Sequence, residues 1–196
     1  VQADILNLDE IESYIKEAEV VHHLAGITNV AYVKKESNPE QDENIKKVAI
    51  EGTENVLKSM NDRATIVFAS THVVFEGLKK PKTNVDENEE TSTFLAYSSS
   101  KVVNENQIIN SGKKYAIFRL GSVYGFSTDT MRINIMPNLF SKIASQNGKI
   151  KLFGGGLQRK SLVPLIDVAR CFKFVEEKKD FKSGIYNLTK ENLCVK

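Results

Sequence analysis

No stretch of this 196-residue sequence is apolar for long enough to cross a bilayer, which takes about 20 such residues, and no signal-peptide pattern is visible. Strong charge of either sign is also missing. The chain has 27 basic and 25 acidic side chains, a net +2, too little to draw nucleic acid. An anionic small ligand held by a few local Lys or Arg residues remains compatible with it. Cysteine is scarce. Cys171 and Cys194 lack metal-ligand spacing and the three histidines do not cluster, so the expectation is two reduced thiols, no metal and a cytoplasmic setting. There is no internal repeat, no low-complexity segment and no compositional sign of disorder. What is left is a chain of globular composition with ample length for one core.

Hydrophobic periodicity predicts an alternation of strands and helices. Val1-Gln2-Ala3-Asp4-Ile5 reads as a strand end, and residues 8–18 as a helix with Leu8, Ile11, Tyr14, Ile15 and Ala18 on one face. Val20-Val21-His22-His23-Leu24-Ala25-Gly26 has the look of a buried parallel strand closing on Gly. A long helix is expected over 40–60, a strand over 65–69, a polar surface loop over 76–94, a helix from Tyr97 to about Asn110 and a strand over 115–120. Further on, helices are expected over 137–146 and 167–177 and strands over 150–153 and 184–188. This order implies an α/β fold: a Rossmann-like, doubly wound parallel sheet with ligands beyond the carboxyl ends of its strands. The acidic run 86–90 reads as solvated loop, and Phe153, Phe172 and Phe174 as core.

One stretch carries chemistry. In Ala96-Tyr97-Ser98-Ser99-Ser100-Lys101, Tyr97 and Lys101 are four apart and share a helical face. An ammonium near a phenol is expected to lower the phenol's pKa, which suits a general acid/base interconverting an alcohol and a carbonyl. Tyr186 and Lys190 repeat the spacing, but they follow a strand-like segment and lack the Ser-rich helix start. Ser70 and Thr71 end a strand upstream of Tyr97. His23 reads as a packing and hydrogen-bonding residue, and His72, beside Thr71, as a residue within reach of a substrate.

Eight phrases in order resemble the extended short-chain dehydrogenase/reductase family, the branch of NAD-dependent nucleotide-sugar epimerases and dehydratases. They are Ala3-Asp4-Ile5; His23-Leu24-Ala25-Gly26; Asn44 with Gly52-Thr53-Glu54-Asn55-Val56-Leu57; and Ser70-Thr71-His72-Val73-Val74-Phe75-Glu76-Gly77. Tyr97-Ser98-Ser99-Ser100-Lys101, Arg119-Leu120-Gly121-Ser122-Val123-Tyr124-Gly125, Val163-Pro164-Leu165-Ile166-Asp167-Val168-Ala169-Arg170 and Gly184-Ile185-Tyr186-Asn187-Leu188 complete the series. The resemblance covers nearly the whole chain and selects Tyr97 over Tyr186, because Ser70-Thr71 stands at the family distance before it.

The resemblance implies roles. Thr71, Tyr97 and Lys101 would be catalytic, with Tyr97 as acid/base and Lys101 on the nicotinamide ribose. Asp4 and Ile5 would meet the adenine end of NAD, Leu24, Ala25 and Gly26 would lie along the cofactor, and Asn44 and Ser70 would support its ribose-nicotinamide end; NADP remains an alternative. Thr71, Ser122, Asn134, Asn138, Arg159 and Lys160 would face a nucleotide-sugar substrate, with Arg159 and Lys160 sharing the diphosphate. Residues 1–125 would form the cofactor-binding core, and 126–196 a substrate-side lobe with the last core elements. The function implied is a UDP-glucose 4-epimerase-like enzyme; the alternatives are an NADPH-dependent keto-sugar-nucleotide reductase and a non-catalytic scaffold. A homodimer through the helices at 40–60 and 97–110 is expected from the same resemblance.

The sequence departs from the family in two places. The Gly-rich dinucleotide loop is missing, and Gly154-Gly155-Gly156 does not open a helix after a strand, so the first βαβ unit is expected to lie before Val1. The family's 4,6-dehydratases carry Asp-Glu after the Thr; His72-Val73 stands there and argues against dehydration.

Overall fold

The computed structural model describes residues 1–28, 37–80, 82–129, 131–178 and 180–196. Pro81, part of the expected surface loop, lies outside them. In chain order the elements are α1 (Leu8–Ile15), β1 (Val20–His23), α2 (Pro39–Ser59), β2 (Thr65–Thr71), α3 (Ala96–Asn110), β3 (Lys114–Leu120) and β4 (Ser122–Tyr124). They continue with α4 (Met136–Ser145), β5 (Arg159–Pro164), α5 (Leu165–Glu177), β6 (Gly184–Leu188) and β7 (Glu191–Cys194). Short 3₁₀ turns cover His72–Phe75 and Phe153–Gly156.

β1, β2, β3 and β6 form a parallel sheet in the order β1-β2-β3-β6. Alternation along the strands sends apolar side chains to both faces. Ile66, Phe68 and Ile117 pack with Ile11, Val56, Met60 and Ile108 of the helices α1 to α3 and their flanks. Val67, Ala116 and Phe118 meet Val168, Phe172 and Val175 of α5 on the other face. The sheet is thus covered on both sides, as in a Rossmann-like fold. A second sheet, β4-β5-β7, pairs β4 parallel and β7 antiparallel to β5.

Local chemistry explains the helix ends. The Asn38 side chain caps α2, accepting from Glu40 N at 3.0 Å and Gln41 N at 3.4 Å, and Pro39 occupies the first turn. α3 closes with Ser111 N on Ile108 O, followed by Gly112 at φ 74°, a left-handed backbone suited to glycine.

Several expectations need correction. Residues 1–5 are not a strand: the Ile5 carbonyl accepts the Asn55 side chain at 3.0 Å, and Asp4 O accepts Asn7 N in a turn. β1 ends at His23 and does not run on to Gly26. Residues 150–153 are not a strand either, and Phe153 opens a turn in which Gly154, Gly155 and Gly156 all have positive φ. β4, β5 and β7 are short strands that periodicity did not reveal. Phe172 is core, but Phe153 and Phe174 are 73% and 56% exposed. Lys151 covers the Phe153 ring, and Phe174 lies on the outward side of α5. The acidic run is more than solvated loop, since the Glu87 carboxylate accepts Asn187 N of β6 at 2.7 Å.

Candidate active site

β2 and α3 bring Thr71, Tyr97 and Lys101 into one neighbourhood. β2 delivers Thr71 at its carboxyl end, where Oγ1 accepts from Val73 N at 3.3 Å and caps the 3₁₀ turn. Tyr97 lies in the first turn of α3, with its phenol close enough to Thr71 for that side chain to act on its pKa. Burial raises the Tyr97 pKa; the Thr71 side chain and the Arg132 charge pull against it. The expected lowering by Lys101 is therefore corrected. The Lys101 ammonium sits 5.9 Å from the Tyr97 ring centre and 4.5 Å over the Phe68 ring, and donates to Ala69 O at 2.8 Å. Its own pKa is lowered to about 8 by burial, with Glu105 opposing.

Glu105 is one turn beyond Lys101, and sequence reasoning assigned it nothing. Its carboxylate takes Arg119 Nε at 3.1 Å and Nη2 at 2.8 Å, and also the Ser70 hydroxyl. Both partners of this fork are more than 95% buried. Ser70 thus points inward to Glu105, so any support it lends a ligand is indirect. Arg119 could have been noticed as a charge inside the apolar run Tyr115-Ala116-Ile117-Phe118, because a buried guanidinium demands a partner. Glu76, to which the sequence also assigned no role, holds the backbone N–H groups of Phe94 and Leu95.

Two of the histidines, His23 and His72, have lowered pKa values. His23 Nε2 pairs with Thr53 Oγ1 at 2.9 Å; burial, helped by the Lys101 charge, brings its pKa down to about 4. It is a packing and hydrogen-bonding residue. His72 donates from Nδ1 to Leu120 O at 2.9 Å, and burial lowers its pKa, with the Lys160 charge adding to the effect.

The remaining candidates divide. Leu24, Ala25 and Gly26 are exposed just past β1, the strand beside β2. Ile5 packs its side chain against Gly52 of α2, where a Cβ would meet Ile5 Cδ1 at 2.4 Å. Asp4 accepts Leu6 N, and Asn44 is exposed on α2; among the described residues no contact joins either to Tyr97. Ser122 is half-buried in β4. Asn138 braces a loop, accepting Gly125 N at 3.3 Å and donating to Arg132 O at 3.0 Å, while Asn134 accepts Arg132 Nε. Arg132 entered no sequence-level list, yet its charge acts on Tyr97. Arg159 and Lys160 open β5 and point to opposite faces, and Lys160 is the one felt by His72. Tyr186 donates to Lys182 O and packs on Phe118, away from this group. A groove of about 610 Å³ beside β1 and α5, lined by His22, Leu24, Leu120, Val123 and Phe172, does not include Tyr97. Among the described residues no three His, Cys, Asp or Glu side chains are placed to hold a metal ion.

A profile of the NAD-dependent epimerase/dehydratase family matches residues 1–189. The chain belongs to this family. A Methanocaldococcus jannaschii protein provisionally named UDP-glucose 4-epimerase is 34% identical over 178 residues, 87% of this chain and 56% of that protein. The chain thus spans little more than half the length of this relative. Among solved structures, a UDP-glucose 4-epimerase of Thermotoga maritima with UDP-glucose superposes with TM-score 0.83 at 20% identity, covering all of this chain and 64% of that one. A dTDP-4-dehydrorhamnose reductase of Clostridium acetobutylicum gives TM-score 0.79 at 24% identity, over 98% of this chain and 64% of that one. At these identities the two structures establish the fold that the family members share.

Proposed function

We propose that this chain provides the catalytic part of an NAD-dependent nucleotide-sugar 4-epimerase. The observation that carries the reading is the convergence of Thr71, at the end of β2, on the Tyr97 phenol, with Lys101 one turn along the same helix. When bound, NAD would supply hydride acceptance and return at the sugar carbon. Tyr97 would take the proton of the 4-hydroxyl and give it back, and Thr71 would orient that oxygen. Lys101 would hold the nicotinamide ribose: the bond to Ala69 O uses one of its three donors. The exposed Leu24, Ala25 and Gly26 lie at the neighbouring strand end, where a flat ring can rest. No pyrophosphate cradle is offered by residues 154–156, which lead into a strand. Lys160, with Arg159 sharing or taking its role, would meet the substrate's diphosphate, and Ser122, Asn134 and Asn138 would face the nucleotide sugar. His72-Val73 after Thr71 speaks against dehydration.

A second reading is a reductase acting on a keto-sugar nucleotide with NADPH. The phrase Ser70-Thr71 through Glu76-Gly77, which also resembles that of dTDP-4-dehydrorhamnose reductases, speaks for it. We further propose a homodimer through α2 and α3, working where Cys171 and Cys194 stay as thiols.

The test uses the complete protein. It is denatured and any released dinucleotide identified by mass spectrometry, followed by a screen of UDP- and dTDP-sugars. Retained NAD with interconversion of 4-epimers supports the epimerase, and net NADPH consumption moves the assignment to the reductase. Binding of neither cofactor sinks both and leaves a scaffold.

A further inference from the structure

The turn after β2 and the start of α3 are joined by one carboxylate. Glu76 Oε1 accepts Leu95 N at 3.0 Å and Phe94 N at 3.3 Å, and also takes the Ser98 hydroxyl. Leu95, the residue that opens α3, makes no side-chain cap of its own. The helix carrying Tyr97 is therefore anchored at its amino end by a residue 21 positions upstream of Tyr97, on the turn that begins at Thr71. Two backbone bonds close the same neck: Gly77 N on Ser92 O and Ser92 N on Val74 O, each at 2.8 Å. No side chain fits at Gly77, where a Cβ would stand 2.7 Å from Ser92 Oγ and 3.0 Å from Ser92 O. Ser98 is fully buried, so its hydroxyl needs the partners it has, Glu76 and Leu95 O.

These bonds close a ring. Thr71 leads into the 3₁₀ turn, the turn into Glu76, Glu76 onto Leu95 and Ser98, and the helix start back to Tyr97 on Thr71. The separation between Thr71 and Tyr97 is set by this ring rather than by the sheet, because Tyr97 is in the first turn of α3, where the helix is least held by its own hydrogen bonds. A charged carboxylate on backbone N–H groups is a stiff anchor, and it also complements the positive end of the helix dipole.

We propose that Glu76 is a positioning residue for the acid/base step, holding Tyr97 on Thr71 without touching substrate. The proposal rests on Tyr97 being the acid/base of the reaction assigned above. A displacement of about 1 Å at a reacting group costs roughly a hundredfold in rate. Glu76→Ala in the complete protein is therefore expected to lower kcat by roughly tenfold to a hundredfold, with KM within about twofold. Glu76→Gln keeps an acceptor oxygen and is expected to stay within about threefold of the parent. Thermal unfolding of both variants, with activity read below the lower transition, separates this from failure to fold. A second measurement needs no substrate. With tyrosine labelled at ¹³Cζ, the Tyr97 resonance is expected to move in Glu76→Ala in the same direction as in Thr71→Ala, and to stay in place in Glu76→Gln. If the parent shows no turnover, the reaction assignment fails and the labelled tyrosine still decides the positioning. Parent-like kcat in Glu76→Ala, equal losses in Ala and Gln, or an unmoved Tyr97 resonance would overturn the proposal.

Discussion

At the scale of single residues, charge and burial decide what each group can do. Tyr97 is held as a phenol by burial and steadied by Thr71. Tyr97→Phe keeps the ring and removes the proton carrier. Turnover should fall by roughly 10²–10⁴-fold with unfolding temperature nearly unchanged, a comparison that assays of sugar interconversion and calorimetry settle. His23 affects stability. Its pKa is about 4 in the fold and 6.5 in the open chain, so between those values the unfolded state binds more protons. Stability is complete above pH 6.5 and is lost as pH falls toward 4, by about 3 kcal/mol for this one group. His23→Gln should flatten that slope in urea unfolding measured at pH 7, 5.5 and 4.5; an unchanged slope would remove His23 from the account. The pair Glu105–Arg119 makes the sharpest demand. Arg119→Met would leave the Glu105 charge buried without its fork partner, at a cost of about 3–5 kcal/mol, whereas Arg119→Met with Glu105→Leu should cost clearly less. Chemical denaturation of the two variants beside the parent tests the order.

At the scale of elements, legibility followed locality. α2 and α3 were readable to within one residue at each end, because their signals are short-range: Asn38-Pro39 at one start, Ser111-Gly112 at the other end. Asn38→Ala removes the cap of α2 and should cost about 1 kcal/mol, read as a lower unfolding temperature with no change in the folded spectrum. The short strands β4, β5 and β7 were not readable. They run three to six residues and include exposed positions, and β5 ends on Pro164, so alternation has too few positions to stand out. Residues 1–5 misled for the opposite reason. They have strand composition, but the Asn55 amide takes the Ile5 carbonyl that a strand neighbour would need.

At the scale of the whole molecule, the two sheets differ in how firmly they are held. The buried strands β2 and β3 run through the middle of the larger sheet and send apolar side chains into both core clusters. β7 is exposed along its whole length and, among the described residues, pairs with β5 alone. Amide exchange should therefore be slowest in β2 and β3 and faster by orders of magnitude in β7, a pattern that native-state hydrogen exchange reads directly. Equal protection would show that the small sheet opens only with global unfolding. The acidic loop belongs to this scale as well. Arg119 donates to Glu87 O and Asn187 N to the Glu87 carboxylate, so the loop ties β3 to β6 from outside the sheet.

The sequence by itself determined most of the alternation of helices and strands and the family, and it points to Tyr97 and Lys101 by their helical spacing of four and to Thr71 by the resemblance. Only the tertiary structure decided what surrounds the trio. Ser70 meets Glu105 across 35 positions and Asn187 meets Glu87 across 100. It also decided that burial outweighs the ammonium at Tyr97, since desolvation depends on what packs around a group and not on what precedes it in the chain.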